Sequence, residues 1–256
     1  MRICLLASGS RGNAVFVENG NTRLLIDAGL SARAVSERLD SIGVSPETLH
    51  AVLVTHEHKD HCQGLGPFAR RYELPVYIHP DTLSALVNIG KLPEVREFDT
   101  SVTISVRDLE IEAFPLTHDA TQTVGFTVTG TDGKIGFATD LGMVTRLVRQ
   151  RLSQCRVLIL ESNHDEEMLL KGPYPWPLKQ RVRSTHGHLS NRDTAQLLSE
   201  LLWEGLEGVF LAHLSETNNL PHIAFRYARE VLMQQSTCDP QLFVGSQQQV
   251  STCMHI

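Results

Sequence analysis

The stretch "THEHKDH" sets His56, His58, Asp60 and His61 directly after the apolar run "AVLV". A neutral imidazole nitrogen binds divalent metal, and a carboxylate adds an oxygen ligand. Residues two apart in an extended segment point the same way, so His56 and His58 can reach one ion while a turn sends Asp60 and His61 to another. Burying so many titratable groups without partners costs several kcal/mol in desolvation, which makes packing alone a poor explanation. The pattern predicts a metal site, and mixed imidazole and carboxylate donors suit zinc, manganese or iron.

Further polar segments could face such a site. "STHGHLSNRDTA" puts His188 and Ser190 before a helical pattern, and a helix start offers free N–H groups to an anion; a plain capping role for Ser190 explains the same residues. "ASGSRGNAV" follows an apolar run, and Ser8, Ser10 and Asn13 could contact a phosphate held in a backbone nest, although a tight hairpin turn fits equally. "ESNHDEEML" offers Asn163 and His164, while Asp165, Glu166 and Glu167 also suit the first turn of a helix. In "KGPYPWPLKQRVR", Lys171, Lys179, Arg181 and Arg183 occur without an acid and with Tyr174 and Trp176 among prolines. That segment reads either as a solvated, proline-stiffened loop or as a lip that tracks a nucleic-acid backbone and stacks bases.

These residues need elements to hold them. Short apolar runs end in ligand-type residues: "TRLLID" at Asp27, "HAVLVTH" at His56, "LEIEAFPLTH" at His118, "KIGFATD" at Asp140, "RVLILES" at Glu161 and Ser162, and "GVFLAH" at His213. Such runs predict buried strands. Helical patterns lie between them: "SARAVSERLDSIG" to Gly43, "PFARRYE" near residue 70, "DTLSALVNIG" to Gly90, "NRDTAQLLSELLWEG" to Gly205, and "PHIAFRYAREVLMQQ" after Pro221. Ser190 and Asp193 resemble an N-capping pair. Two strand-rich halves, about 1–125 and 126–245, predict one domain of two sheets packed face to face with helices outside. The tail "GSQQQVSTCMHI", 246–256, carries no functional signal and is expected to be loosely ordered.

Composition narrows the class. With 256 residues, 41% hydrophobic and 20% charged, the chain can bury a substantial core. A net charge of −6 argues against bulk electrostatic binding of nucleic acid, but not against a local basic groove. The apolar stretch in "MRICLLASGSRG" is too short for a signal-peptide core or a membrane span, so a cytoplasmic location is expected. Cys4, Cys62, Cys155, Cys238 and Cys253 are scattered without a CxxC pair, which predicts reduced, mostly packed thiols.

"THEHKDH" resembles the His-x-His-x-Asp-His signature of the metallo-β-lactamase superfamily, and the resemblance runs through nearly the whole chain. It implies an α/β fold, an αββα sandwich with a dinuclear site along one rim. By that resemblance His56, His58 and His118 hold one metal, Asp60, His61 and His213 the other, and Asp140 bridges them. Asp27 would orient the cluster from behind. His58 stands where oxygen-reducing di-iron members carry glutamate, which favours hydrolysis. Two metals about 3.5–4 Å apart would share and acidify a water, making hydroxide available at neutral pH.

"GHLSN" resembles the Gly-His-Ala-Ser type motif of nucleases in this superfamily, with Leu189 in the alanine place. Together with "SGSRGNA", "THDA", "ATDLG", "ESNHD" and "LAHLSETNN" it is similar to the YycJ/WalJ-like subgroup of compact members. The resemblance implies a 5′-to-3′ DNA exonuclease, with Asp60, Asp140 and His188 catalytic and DNA bearing a 5′-phosphate as substrate. An acyl hydrolase for thioesters or lactones with the same dinuclear site is the nearest alternative. A non-catalytic nucleotide-binding or regulatory protein is a third, against which the complete ligand set argues.

Overall fold

The computed structural model describes residues 1–256. Alternation of side chains along the early strands sets the layering. In β1 (Arg2–Ala7), Ile3 and Leu5 enter one core while Cys4 and Leu6 enter another. Strands buried on both faces need cover on both. A second sheet covers one side and helices the other.

After β1, the first sheet takes β2 (Ala14–Asn19), β3 (Thr22–Ile26), β4 (Ala51–Leu53), β5 (Pro75–Ile78) and β6 (Glu94–Glu97). The second takes β7 (Thr103–Val106), β8 (Leu109–Leu116), β9 (Thr123–Gly130), β10 (Gly133–Ala138), β11 (Val157–Glu161), β12 (Gly208–Ala212) and β13 (Gln241–Val244). A final strand, β14 (Met254–His255), returns to pair with β1, so each sheet has seven strands. Both sheets are antiparallel on one side and parallel on the other, switching at β3 in the first and at β10 in the second. Phe126, Phe137 and Phe210 meet Val17, Leu24 and Leu53 in the core between them.

On the outer face of the first sheet lie α1 (Ala32–Ser41) and α3 (Leu65–Tyr72), which bury Val35, Leu39, Leu65 and Phe68. The short α2 (Lys59–Cys62) carries the turn of the histidine cluster, and α4 (Pro80–Ala85) follows β5. The second sheet is covered by α5 (Arg146–Leu152), α8 (Asn191–Leu201) and α9 (Pro221–Met233). Ser190 and Asp193 form a reciprocal capping box at the start of α8. Between β11 and α8 stand α6 (Glu166–Lys171) and α7 (Trp176–Val182). The architecture is the expected αββα sandwich, and no helix is long and apolar enough to cross a membrane. All five cysteines are free.

The structure departs from the sequence reading in five places. The chain changes sheet between β6 and β7, at residues 98–102 rather than near 125, because β7, β8 and β9 continue the second sheet. The helices expected to reach Gly90 and Gly205 stop at Ala85 and Leu201; Leu86 and Leu202 turn extended, and the carbonyls of Ile89 and Lys91 accept from Arg70. The proline-rich basic segment contains a helix, α7, with Pro175 as N-cap and Pro177 near the start, where a missing N–H costs nothing. The tail is docked: Ser251 N–H donates to Leu5 O at 2.9 Å, and Met254 is 3% exposed in the inter-sheet core. Met254→Ala is therefore expected to cost about 2–5 kcal/mol in urea unfolding. A loss below about 0.5 kcal/mol, the range of surface changes, would mean that the tail is not part of the core.

Candidate active site

The ligand-type residues lie at or just past the C-terminal ends of strands: Asp27 after β3, His56 after β4, His118 after β8, Asp140 after β10, Glu161 ending β11 and His213 after β12. Ligands of open α/β sheets collect at such ends. Asp27, Asp140 and His213 turn there with φ of 61°, 62° and 54°, a region that costs a non-glycine residue energy unless its surroundings enforce it. The loop after β3 and the histidine turn approach so closely that a Cβ on Gly29 would lie 1.7 Å from the Asp60 carbonyl oxygen. Only glycine fits there.

Hydrogen bonds fix the rings. His61 Nδ1–H donates to Asp27 Oδ2 at 2.7 Å, and the Thr55 N–H and hydroxyl donate to the same carboxylate. His118 Nδ1–H donates to the Gly187 carbonyl at 3.1 Å. His213 and His188 both donate from Nδ1 to Glu161 Oε1, at 3.0 and 2.8 Å. Carboxylates and carbonyls only accept, so these four rings carry hydrogen on Nδ1 and leave Nε2 free when neutral.

Ligand atoms of His56, His58 and His118 lie within 4.8 Å of one another, as do those of Asp60, His61 and His213. His56, His61 and Asp140 form another such set, which joins the first two. His56 Nε2 and Asp140 Oδ2 are buried without a hydrogen-bond partner. Such orphans are rare and costly, and a cation is what an imidazole nitrogen and a carboxylate oxygen can share. Cys62 is not a competing donor, since its Sγ–H donates to the His56 carbonyl at 3.1 Å. The donor set fits a divalent-metal site.

In the metal-free protein, protons take the place of cations. Burial pushes His213 down, but Asp140, Asp60 and Glu161 outweigh it and raise its pKa to about 10. Burial likewise opposes charge on His61, yet Asp140, Asp27 and Asp60 hold it well above the usual histidine range. His56, buried beside other imidazoles, is held well below it. Burial would raise the Asp60 carboxyl, and the charges on His61 and His213 reverse that and lower it.

Beside the cluster opens a polar cleft of about 190 Å³, whose walls include Ser10, Asn163 and His188. The other sequence-predicted contacts lie behind it, engaged by the protein itself. Ser8 Oγ accepts from His213 N–H at 2.6 Å, and Asn13 Nδ2 lies 3.0 Å from His61 Nε2 and 3.3 Å from Asp60 Oδ2. Ser190 Oγ is held in the capping box, and His164 is 2% exposed with burial lowering its pKa to about 4. Asp165 caps α6 through Met168 N–H. Sequence reasoning assigned no role to Glu161, Ser215 or Asn218, although Ser215 and Asn218 line the cleft. Glu161 is fully buried and accepts from His188, His213 and the N–H groups of Leu141 and Leu189; its only signal was a charge ending an apolar run.

Metal binding needs neutral rings, so loading zinc or manganese at pH 7 is expected to release protons from His213 and His61, and apparent affinity is expected to rise with pH toward about 10. Calorimetry in buffers of different ionisation enthalpy measures this; a heat independent of buffer would contradict it. Asp27→Asn, which removes the negative charge facing His61 and replaces one of the two accepting oxygens with a donor, is expected to weaken metal affinity about 10–100-fold in a chelator competition, the usual cost of losing such a partner.

Comparison with known proteins agrees with this geometry. A family model described as a beta-lactamase superfamily domain matches residues 22–206. Exodeoxyribonuclease YycJ of Bacillus anthracis is 36% identical over 235 residues, covering 91% of this chain and 89% of that protein. Exodeoxyribonuclease WalJ of Streptococcus pneumoniae is 36% identical over 225 residues, covering 86% of this chain and 84% of the relative. The crystal structure of the metallo-beta-lactamase fold protein YhfI from Bacillus subtilis superposes with a TM-score of 0.74 at 14% identity, covering 99% of this chain and 98% of that one. Ligand-type residues at strand ends, the family match and relatives of this similarity over most of both chains lead to one conclusion: the chain belongs to the metallo-β-lactamase superfamily, alongside YycJ and WalJ.

Proposed function

We propose that the protein is a metal-dependent phosphodiesterase, and specifically a 5′-to-3′ DNA exonuclease. The observation that carries this reading is His188, held by Glu161 beside the ligand cluster at the wall of a polar cleft. Its side chain is 20% exposed, against 3% for His213, so His188 is the ring a substrate can meet. Burial disfavours its charge, but Glu161 raises its pKa above the ordinary value, which favours the protonated ring. Nδ1 is committed to Glu161, which leaves Nε2–H to donate to the departing oxygen. The names of the YycJ and WalJ relatives supply DNA as the substrate class.

Two divalent ions, zinc or manganese with iron as a further candidate, would be held by His56, His58 and His118 and by Asp60, His61 and His213. Asp140 stands within reach of both sets. When bound, such ions supply an acidified water and offset charge on the attacked phosphate. Asp27 and Glu161 keep the rings aimed and Asn163 Nδ2 donates to the His213 carbonyl at 2.9 Å, while Ser10 offers a hydroxyl to a phosphate oxygen beside His188. An acyl hydrolase would use a narrow apolar or anion-specific pocket, whereas most residues lining this cleft carry polar side chains, Ser10, Asn163, Ser215 and Asn218 among them.

End-labelled, 5′-phosphorylated duplex DNA with added manganese, beside a chelated control, tests the reading. Metal-dependent release of nucleotides from the 5′ end is expected. Turnover of thioesters or lactones without any DNA cleavage would overturn it. His188→Ala is expected to retain bound metal while cleavage falls about 100-fold or more; unchanged turnover would remove its role as proton donor.

A further inference from the structure

The segment 171–183 remains without a role in the reaction described so far. Tyr174 and Leu178 line the cleft together with Arg181, and Trp176 is 57% exposed on the same segment. The wall is fastened to His188: His188 N–H donates to Val182 O at 2.9 Å, and a Cβ on Gly187 would lie 2.2 Å from that carbonyl oxygen. On its other side, Arg181 pairs with Asp119, the neighbour of His118. Tyr174 is thus carried on a support continuous with the proton donor. Lys171 is paired with Glu167 and Arg181 with Asp119, and Lys179 Nζ donates to the Leu170 carbonyl at 2.7 Å, so Arg183 is the cation left uncommitted on this segment.

The cleft is small and the reacting groups are recessed. At about 190 Å³ it falls below the roughly 300–1,000 Å³ of clefts that enclose drug-sized ligands and is too small to take in a base pair. Asp140 and His213 are each 2% exposed, so a phosphate has to enter the cleft to reach them. The last nucleotide must leave its partner, and an unstacked base needs a new surface. Aromatic faces supply such a surface without regard to sequence, and unpaired cations beside them track the backbone.

We propose that Tyr174, assisted by Trp176, is the stacking wall for the terminal base of a DNA end whose last pair has opened, with the exposed Arg183 guiding the strand. This rests on the nuclease reading. It makes Tyr174 a specificity-determining residue: ends that open readily are cut faster than ends that do not.

Manganese-loaded protein is assayed on duplexes that differ only in the terminal pair, closed by G·C or mismatched, and binding is followed on a 5′-phosphorylated oligonucleotide with calcium in place of manganese. Mismatched ends are expected to be cut about tenfold faster than G·C-closed ends. Tyr174→Ala is expected to raise KM by about tenfold or more, the scale of one lost base stack, and to weaken calcium-phase binding alike, whereas Tyr174→Phe restores both. Oligonucleotide binding is expected to quench tryptophan fluorescence, and Trp176→Phe to abolish the quenching, because Trp203, the other tryptophan, is tied to the Cys155 carbonyl. Equal KM and binding in wild type and Tyr174→Ala, or quenching that survives Trp176→Phe, would overturn the stacking wall. Absence of DNA cleavage by the wild type, with the Tyr174-dependent binding and the quenching intact, would instead overturn the nuclease reading alone.

Discussion

Asp27, Asp140 and Glu161 lie at most 2% exposed among buried imidazoles, and that buried charge must be balanced inside the protein. Leaving one such ion without its partner costs several kcal/mol, a large share of the roughly 5–15 kcal/mol by which a domain is stable. Each carboxylate accordingly faces an imidazole: Asp27 faces His61, Asp140 faces His61 and His213, and Glu161 faces His188 and His213. The Nδ1 bonds to Asp27 and Glu161 choose the tautomers of His61, His188 and His213 and therefore which nitrogen is offered to a ligand. Glu161 ties the metal half of the site to the proton donor through one oxygen, Oε1. Neither half can be retuned without disturbing the other.

The two sheets make this arrangement affordable in conformational terms. The cluster draws on residues from His56 to His213, and rigid strands deliver them from both sheets to one rim. Three of these strand ends turn through the left-handed region, at about 1–3 kcal/mol each. Buried packing on both faces of each sheet holds the turns in place. A loop-borne site would lose its aim whenever the loop moved, while strand ends anchored in a core keep their separations.

Much of the site was legible because its signals are local. "THEHKDH" carries its spacing in one turn, and Asp27, His118, Asp140 and His213 each close an apolar run. Glu161 closes such a run too, but its partners stand 27 and 52 residues away, and nothing in the sequence announces them. Ser8 and Asn13 read as a polar turn; that they serve His213, His61 and Asp60 depends on how the first strand meets the second sheet. The prolines around Trp176 suggested a loop because proline removes a donor, yet at the first turn of α7 that donor has no partner to lose. The tail gave no pattern because β14 has two residues and takes its form from β1.

That pairing orders events during synthesis. β1 precedes every other strand in this sequence, and its outer neighbour arrives only with residues 254–255, after every strand of the second sheet. Throughout elongation the nascent first sheet carries an open strand edge, the kind of surface that recruits other strands. The finished protein conceals a vulnerability that belongs to its birth, and the newly made chain is the form in which neighbours on a polysome are exposed to it.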